Sequence, residues 1–335
     1  MKNTVALVLT FNRLPLLKEC IDCLRNQTAP VDQIIVVNNC STDGTLEWLT
    51  AQKDLKVVTT SSNIGGAAGF VRGITEAYEQ NSKWIWIMDD DAFPEYDCLE
   101  KMYKVADEKG TDQLVLSPLV IEAGKVDHLH RGYVNFNKKI NFPLQDLTTD
   151  KIFETEEPLI NITFASYIGM FLGRDIVTKV GLPFGKYYIF QDDLEYSIRI
   201  SKAGFPLYLV KNAIIHHKIK KEVPENMLAS GKSYRKERRT LSQIYLDKRN
   251  KYIDAAKINR LLFISKRNMI WTIIHHNGMN AKLMQFLIKD IFRSFTYVVL
   301  SKENRGMLLR LFYHTYSQGL SGKFDNPSIL ANKSA

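Results

Sequence analysis

The sequence predicts an α/β fold in which a mostly parallel central sheet is flanked by helices and followed by a helical C-terminal region. Over the first ninety residues, apolar β-branched runs alternate with helical periods. Continuous apolar strands separated by helices are typical of a parallel sheet that is covered on both faces. Polar or glycine-rich segments follow the strands, and helical periods dominate after about residue 225.

Four strands and three helices are predicted in strict alternation at the N-terminus. The strands are "VALVLT", "QIIVVNN", "KVVTT" and "WIWIMD", and the helices between them are "LPLLKECIDCLRNQ", "TLEWLTAQ" and "AAGFVRGITEAYEQ". Right-handed crossovers bring the carboxyl ends of such strands to one edge of the sheet, where ligands bind in this kind of fold. We expect one site at that edge, built from residues 10–13, 38–45, 61–70 and 89–92.

Charge is distributed unevenly along the 335 residues, whose net charge is +9. Residues 211–310 carry 22 Lys and Arg against 7 Asp and Glu, whereas residues 1–210 carry 21 against 28. A basic second part indicates a negatively charged partner, such as a membrane surface, a nucleic acid or a phosphate-bearing substrate. No apolar run is long enough to span a bilayer and no signal sequence opens the chain, so we expect a cytoplasmic protein.

Three adjacent carboxylates, Asp89, Asp90 and Asp91, end the fourth predicted strand. At a separation of about 4 Å each pair would cost about 1 kcal/mol in water and about 4 kcal/mol at an effective dielectric constant near 20. A bound divalent cation reverses that sign, and alternation along the strand aims Asp89 and Asp91 the same way. The pattern therefore favours a Mg²⁺ or Mn²⁺ site, with a solvated acidic loop as the alternative.

Two further groups of residues, one acidic and one of histidines, are candidates for catalysis or metal binding. In "QDDLEYSIRI" the helical period places Asp192 and Glu195 on one face and Asp193 elsewhere. An acid-rich first helical turn that complements the helix dipole is the alternative. His216 and His217 end a strand-like segment, and such histidines are more often packed or solvated than metal ligands.

Four motifs in this order and spacing, "VLTFNR", "IIVVNNCSTDGT", "NIGGAAGFVRG" and "WIWIMDDDA", resemble family 2 glycosyltransferases of the GT-A fold. Within that family the chain looks like the branch of galactofuranosyltransferases and rhamnosyltransferases. The resemblance continues through "GLPFGKYYIFQDDLEYSIRISKAG" and "AIIHHK" to a fainter "LDKRN", so it covers roughly residues 1–250. It implies a GT-A catalytic domain at residues 1–224, with a nucleotide-sugar half at 1–110 and an acceptor half at 111–224, and a basic helical region at 225–335.

The resemblance also implies roles for residues at matching positions. Asp89 and Asp91 would bind Mn²⁺ or Mg²⁺ together with His217, which is favoured over His216. Asp193 would be the general base, with Asp192 and Glu195 on the acceptor side. The nucleotide-sugar would be bound by eight residues: Thr10, Asn12, Arg13, Asn39, Asn63, Gly66, Arg72 and Asp90. Many relatives have an aspartate where this chain has Asn39, so the preference for one nucleotide base in the donor stays open.

The implied reaction is inverting and metal-dependent, and moves a sugar from a nucleotide diphosphate to a hydroxyl of a growing surface glycan. UDP-galactofuranose is the first expected donor and dTDP-rhamnose the alternative. A sugar nucleotidyltransferase should instead show a glycine-rich basic loop near its N-terminus, which "VLTFNRLPLL" lacks. No nucleic-acid reading motif is present, so we expect no nucleic-acid partner.

Segment 282–300 has an apolar helical stripe beside Lys282, Lys289 and Arg293, and the basic segments "SYRKERRT" and "DKRNK" precede it. This combination predicts docking on an anionic cytoplasmic leaflet, at roughly 1 kcal/mol per basic residue near the surface. The acceptor would then be a lipid-linked glycan. A helix packed on the catalytic domain and a contact in a homo-oligomer are the alternatives.

Overall fold

The computed structural model describes residues 3–138, 140–218, 255–301 and 305–326. Its strands are β1 (Thr4–Thr10), β2 (Gln33–Asn38), β3 (Leu55–Thr59), β4 (Trp84–Asp89), β5 (Ala92–Pro94), β6 (Val115–Glu122), β7 (Lys125–Val126), β8 (Arg131–Tyr133), β9 (Asp146–Leu147), β10 (Leu159–Ile162), β11 (Phe164–Ala165), β12 (Met170–Gly173) and β13 (Leu207–His217). Its helices are α1 (Leu14–Arg25), α2 (Thr45–Thr50), α3 (Gly66–Glu79), α4 (Cys98–Lys109), α5 (Arg174–Val180), α6 (Asp192–Lys202), α7 (Ala255–Asn277), α8 (Ala281–Leu300) and α9 (Arg305–Ser321). Short 3₁₀ turns lie at His128–His130, Asp150–Phe153 and Gly185–Tyr187.

The main sheet has the strand order β10-β13-β6-β12-β4-β1-β2-β3. Strands β4, β1, β2 and β3 are all parallel, which confirms the predicted N-terminal arrangement. Strand β12 runs antiparallel between β4 and β6 and makes the sheet mixed. The four parallel strands therefore end at one edge, where the predicted polar segments begin.

Each face of this sheet packs against its own layer of helices. Ala6 and Val8 of β1 join one buried cluster with α1 and α4, whereas Val5 and Leu7 join another with α3 and α6. Because both faces are covered, every residue of β1 is buried, as its continuous apolar sequence predicts. The three-layer packing fixes the positions of the loops at the carboxyl edge.

A small second sheet, with the strand order β11-β8-β9, is built from residues between 131 and 165. The buried Arg131 joins it to the main sheet, because its guanidinium donates hydrogen bonds to the carbonyls of Pro118 at 3.0 Å and Ile168 at 2.6 Å. A third bond, to the His130 carbonyl, is 2.6 Å long. One buried charge thus fixes the turn before β8 against β6.

The described part of the C-terminal region is helical, as predicted. Helix α7 packs against α9, and Met269 and Ile273 share a buried cluster with Leu283 and Leu287 of α8. The predicted boundary between residues 224 and 225 lies outside the described residues, as do "SYRKERRT" and "DKRNK". None of the helices that the structure describes is long and apolar enough to cross a bilayer.

Candidate active site

Side-chain amides link the loops at the carboxyl edge of the sheet. Asn12, whose φ is 54°, accepts a hydrogen bond from the Thr42 N–H at 2.7 Å. The buried Asn39 donates to Asn63 Oδ1 at 3.0 Å and accepts from the Ile64 N–H at 3.0 Å. The structure therefore brings Asn12, Asn39 and Asn63 into the loops of one edge, and their amides set the shape of those loops.

Gly65 and Gly66, at the start of α3, pack against the segment that leads into α6. Gly65 has a φ of 85°, and a Cβ atom there would lie 2.4 Å from the Tyr188 carbonyl oxygen. That carbonyl accepts a hydrogen bond from the Ala67 N–H at 3.1 Å. A side chain at position 65 would therefore separate the loop after β3 from the segment before α6. Gly66 opens α3 beside this contact.

Asp90, the residue after β4, forms a side-chain hydrogen bond with the last residue of β1. Its carboxylate accepts hydrogen bonds from Thr10 Oγ1 at 2.7 Å and from Arg13 at 3.1 Å. Burial raises the pKa of Asp90 to about 6, although Arg13 and Thr10 oppose that rise. Thr10 and Asp90 are thus buried polar partners at the edge of the site, and the half-exposed Arg13 contacts Asp90 from the solvent side.

Asp91 lies between a guanidinium and an imidazole. Its Oδ2 is 2.5 Å from the Arg13 guanidinium, and its Oδ1 is 3.6 Å from His217 Nε2. Antiparallel pairing of β13 with β5 places His217 opposite Ala92 and so brings it to this position. His216 faces away and contacts Glu95 at 3.1 Å.

The charges of this group act on one another. Burial and the charges of Asp91 and Asp90 raise the pKa of Asp89 well above its usual value. Burial also opposes the charge of Asp91, but His217 and Arg13 outweigh it and lower the pKa of that carboxyl. The pKa of His217 is raised for the same reason, against the effect of burial. The lowered pKa keeps Asp91 anionic, 3.6 Å from the imidazole of His217.

The second acidic pair opens α6. Burial raises the pKa of Asp192 to about 8, with the charge of Asp193 adding to the rise. Burial also raises the pKa of Asp193, but only to about 6, because backbone N–H groups and the Arg131 charge oppose it. Near neutral pH, Asp192 is therefore mainly protonated and Asp193 mainly ionised. Two carboxyl groups with separated pKa values suit an acid and a base.

The segment before α6 is strained and held from behind by α7. Three of its residues, Tyr188, Phe190 and Gln191, have φ values near +65° to +70°. Asn268, which is fully buried on α7, donates hydrogen bonds to the Ile189 carbonyl at 3.0 Å and the Phe190 carbonyl at 2.9 Å. The sequence analysis missed this contact. Its only signal was the polar run "SKRN" inside an apolar helix.

Two predicted residues have protein partners. Glu195 is buried, and its carboxylate contacts Arg199 at 2.8 Å and His276 at 3.1 Å. Arg72 is on α3 and forms an ion pair with Glu76 at 2.8 Å. Their roles toward acceptor and donor stay predictions.

Residues 6–158 match the family model described as "Glycosyl transferase family 2". The chain is 26% identical over 213 residues to "Galactofuranosyltransferase GlfT1" of Mycolicibacterium smegmatis, which covers 60% of this chain and 66% of that protein. The protein of the same name from Mycobacterium tuberculosis is 26% identical over 232 residues, covering 64% of this chain and 70% of the relative. The chain thus spans just under two thirds of the length of the first relative.

Solved structures share the fold at low sequence identity. GalNAc-T7, crystallised with UDP, GalNAc and Mn²⁺, superposes with a TM-score of 0.53 at 13% identity over 66% of this chain and 44% of that one. Residues 1–349 of S. aureus TarS, in complex with UDP, superpose with a TM-score of 0.51 at 13% identity over 96% of this chain and 82% of that one. Residues 6–158 are therefore similar to family 2 glycosyltransferases, and the chain has the GT-A fold that its sequence motifs predict.

Proposed function

We propose that the protein transfers galactofuranose from UDP-galactofuranose to a hydroxyl group of a growing surface glycan, with inversion at the anomeric carbon. The observation that carries this proposal is the convergence of Asp91 and His217 at the edge where the loops after β1, β2 and β3 meet. The similarity to two galactofuranosyltransferases supports the choice of sugar.

We assign the donor's cation, Mn²⁺ or Mg²⁺, to Asp89, Asp91 and His217, although the structure does not bring ligand atoms of all three within 4.8 Å of one another. Asp91 Oδ1 and His217 Nε2 are 3.6 Å apart, which lets both approach one cation at bond lengths of about 2.0–2.2 Å. The raised pKa of Asp89 shows that its negative charge is costly at this position. A cation there would neutralise the charge that develops on the leaving diphosphate. Arg13, which contacts both Asp90 and Asp91, adds positive charge on the same side.

Asp193 is the proposed general base. It takes the proton of the acceptor hydroxyl as that oxygen bonds to the anomeric carbon, while the bond from that carbon to the diphosphate oxygen breaks on the opposite face. A pKa of about 6 leaves Asp193 mainly ionised at neutral pH. Asp192, mainly protonated, can donate a hydrogen bond to the acceptor.

The acceptor is proposed to be lipid-linked because α8 presents an apolar face to solvent. Ile288 is 63% exposed and Phe292 is 71% exposed, and both lie opposite the buried Leu283 and Leu287. Met284, Phe295 and Val299 continue the exposed face. The exposed basic residues Lys289 and Arg293 flank it. Apolar side chains between basic ones suit the surface of an anionic membrane.

Vesicle flotation tests this face. We expect the full chain to float with phosphatidylserine vesicles at low salt and to be released as salt rises, because screening weakens the basic contribution. Phe292→Glu should abolish flotation, whereas Tyr96→Glu, which changes a 66% exposed aromatic residue elsewhere, should not. Flotation that is absent, or that is equal in both variants, would contradict the membrane proposal. Sedimentation of a dimer that Phe292→Glu disrupts would assign the face to a homo-oligomer contact.

The donor is tested by release of nucleoside diphosphate from UDP-, dTDP- and GDP-sugars in Mn²⁺ or Mg²⁺. We expect turnover of UDP-galactofuranose. Turnover of dTDP-rhamnose alone would preserve the reaction type and change the donor, and turnover of no nucleotide sugar would contradict the proposed function.

A further inference from the structure

Two histidines and one carboxylate, His130, His217 and Asp127, form a cluster at the end of β13. Asp127 and His130 come from the 3₁₀ turn before β8, and His217 comes from the end of β13. One ligand atom from each of these residues lies within 4.8 Å of the other two. His130 and His217 pack edge to face, with ring centroids 4.9 Å apart.

Each of the three residues has one polar atom that is buried and lacks a hydrogen-bond partner. These atoms are Asp127 Oδ2, His130 Nε2 and His217 Nδ1. Asp127 Oδ2 and His130 Nε2 are 3.1 Å apart and form an ion pair when the imidazole is protonated, although they are not aligned as a hydrogen bond. Leaving a buried polar atom without a hydrogen bond is costly, so three such atoms in one place call for an explanation.

The remaining polar atoms of these side chains are already occupied. Asp127 Oδ1 accepts the Leu129 N–H at 2.9 Å, and His130 Nδ1 is 2.9 Å from Ser166 Oγ. His217 directs Nε2 toward Asp91. Such contacts fix the orientation of each ring and carboxylate, which is how the surroundings of a metal ligand usually hold it. The atoms without a hydrogen bond are therefore the ones left to bind a ligand.

We propose that Asp127, His130 and Nδ1 of His217 form a second divalent-cation site beside the one assigned to the donor's diphosphate, which uses Nε2 of the same ring. Both sites are filled together only when that ring has lost both of its N–H protons. Two imidazole nitrogens and one carboxylate oxygen are a ligand set for Zn²⁺ or Co²⁺ rather than for Mg²⁺. A cation at this position satisfies all three unpaired atoms. It also ties the turn before β8 to the end of β13 and so orients the ring whose other nitrogen faces Asp91. This inference does not depend on the identity of the donor or on the reaction.

Binding of Co²⁺ to the full chain without nucleotide tests the site, because the visible spectrum of Co²⁺ reports its ligands directly. We expect the wild-type chain to bind Co²⁺ with imidazole and carboxylate coordination, and Zn²⁺ to displace it. His130→Gln and Asp127→Asn should each lose this signal. The matched control is His128→Gln, two residues earlier in the same turn, where the side chain contacts Asp150 instead. Circular dichroism checks that each variant is folded.

A further variant separates the two cation sites. Asp91→Asn should keep the Co²⁺ signal, since Asp91 belongs only to the site of the donor's cation. Loss of the signal in Asp91→Asn with retention in His130→Gln would overturn the proposal, because the cation would then lie at the acidic run. A wild-type chain that shows no coordinated Co²⁺ at saturating concentration would overturn it as well.

Discussion

Asp193→Asn should lower kcat by at least about two orders of magnitude, with little change in donor affinity. The substitution keeps the size and hydrogen bonding of the side chain but removes the proton acceptor, and a positioned base contributes roughly 10²- to 10⁴-fold in rate. Asp192→Asn is the matched control, because the neighbouring carboxyl is already mainly protonated near neutral pH. It should affect mainly the KM for acceptor. Steady-state kinetics on both variants makes the comparison.

The same assignment fixes the sign of the pH dependence. The base form of Asp193 is the ionised carboxylate, and burial raises its pKa to about 6. The wild-type kcat should therefore fall as the pH drops through about 6. Near-normal turnover by Asp193→Asn together with an inactive Asp192→Asn would mean that the other member of the pair is the base. Activity in both variants would contradict a base in this segment.

Asp91→Asn should weaken binding of UDP in Mn²⁺ by at least about 100-fold, since even groups that only support a metal ligand are worth about 10- to 100-fold in metal affinity. The loss should have two causes, because the variant removes a proposed ligand and breaks the ion pair with Arg13. Calorimetry with UDP and Mn²⁺ measures the effect. Glu95→Gln, which alters the partner of His216 instead, should bind UDP like the wild type. Transfer activity that survives excess EDTA would rule out the metal-dependent mechanism.

The sequence predicted the N-terminal half of the fold because its signals are local. Strands β1 to β4 are continuous apolar runs, and the helices between them have clear periods. The direction of β12 could not be predicted, because the sequence of a strand of four residues does not show which strands will pair with it. The small sheet was missed for a related reason. Its strands are two or three residues long, and Arg131 of β8 ties them to the main sheet through the distant Pro118 carbonyl.

The candidate site divides in the same way. Its acidic groups stand out as adjacent carboxylates in the sequence, and the family resemblance directs attention to His217. The supporting residues do not stand out, because each acts on a segment far away in the chain. Asn268 donates hydrogen bonds to the backbone carbonyls of residues 189 and 190. The His130 ring, next to the small sheet, packs against the His217 ring at the end of the main sheet's β13. Buried polar residues in apolar surroundings were the available signal, and one sequence does not show their partners.

Sugar transfer from UDP-galactofuranose to a galactofuranosyl acceptor with a lipid-like tail, followed by nuclear magnetic resonance, tests the proposed function most directly. The full chain in Mn²⁺ should release UDP and form a glycosidic linkage whose anomeric configuration is opposite to that of the donor. Asp193→Asn should bind the donor and form almost no product. A product that retains the donor configuration, or release of UDP that is equally fast in wild type and Asp193→Asn, would contradict an inverting transferase with its base at the start of α6.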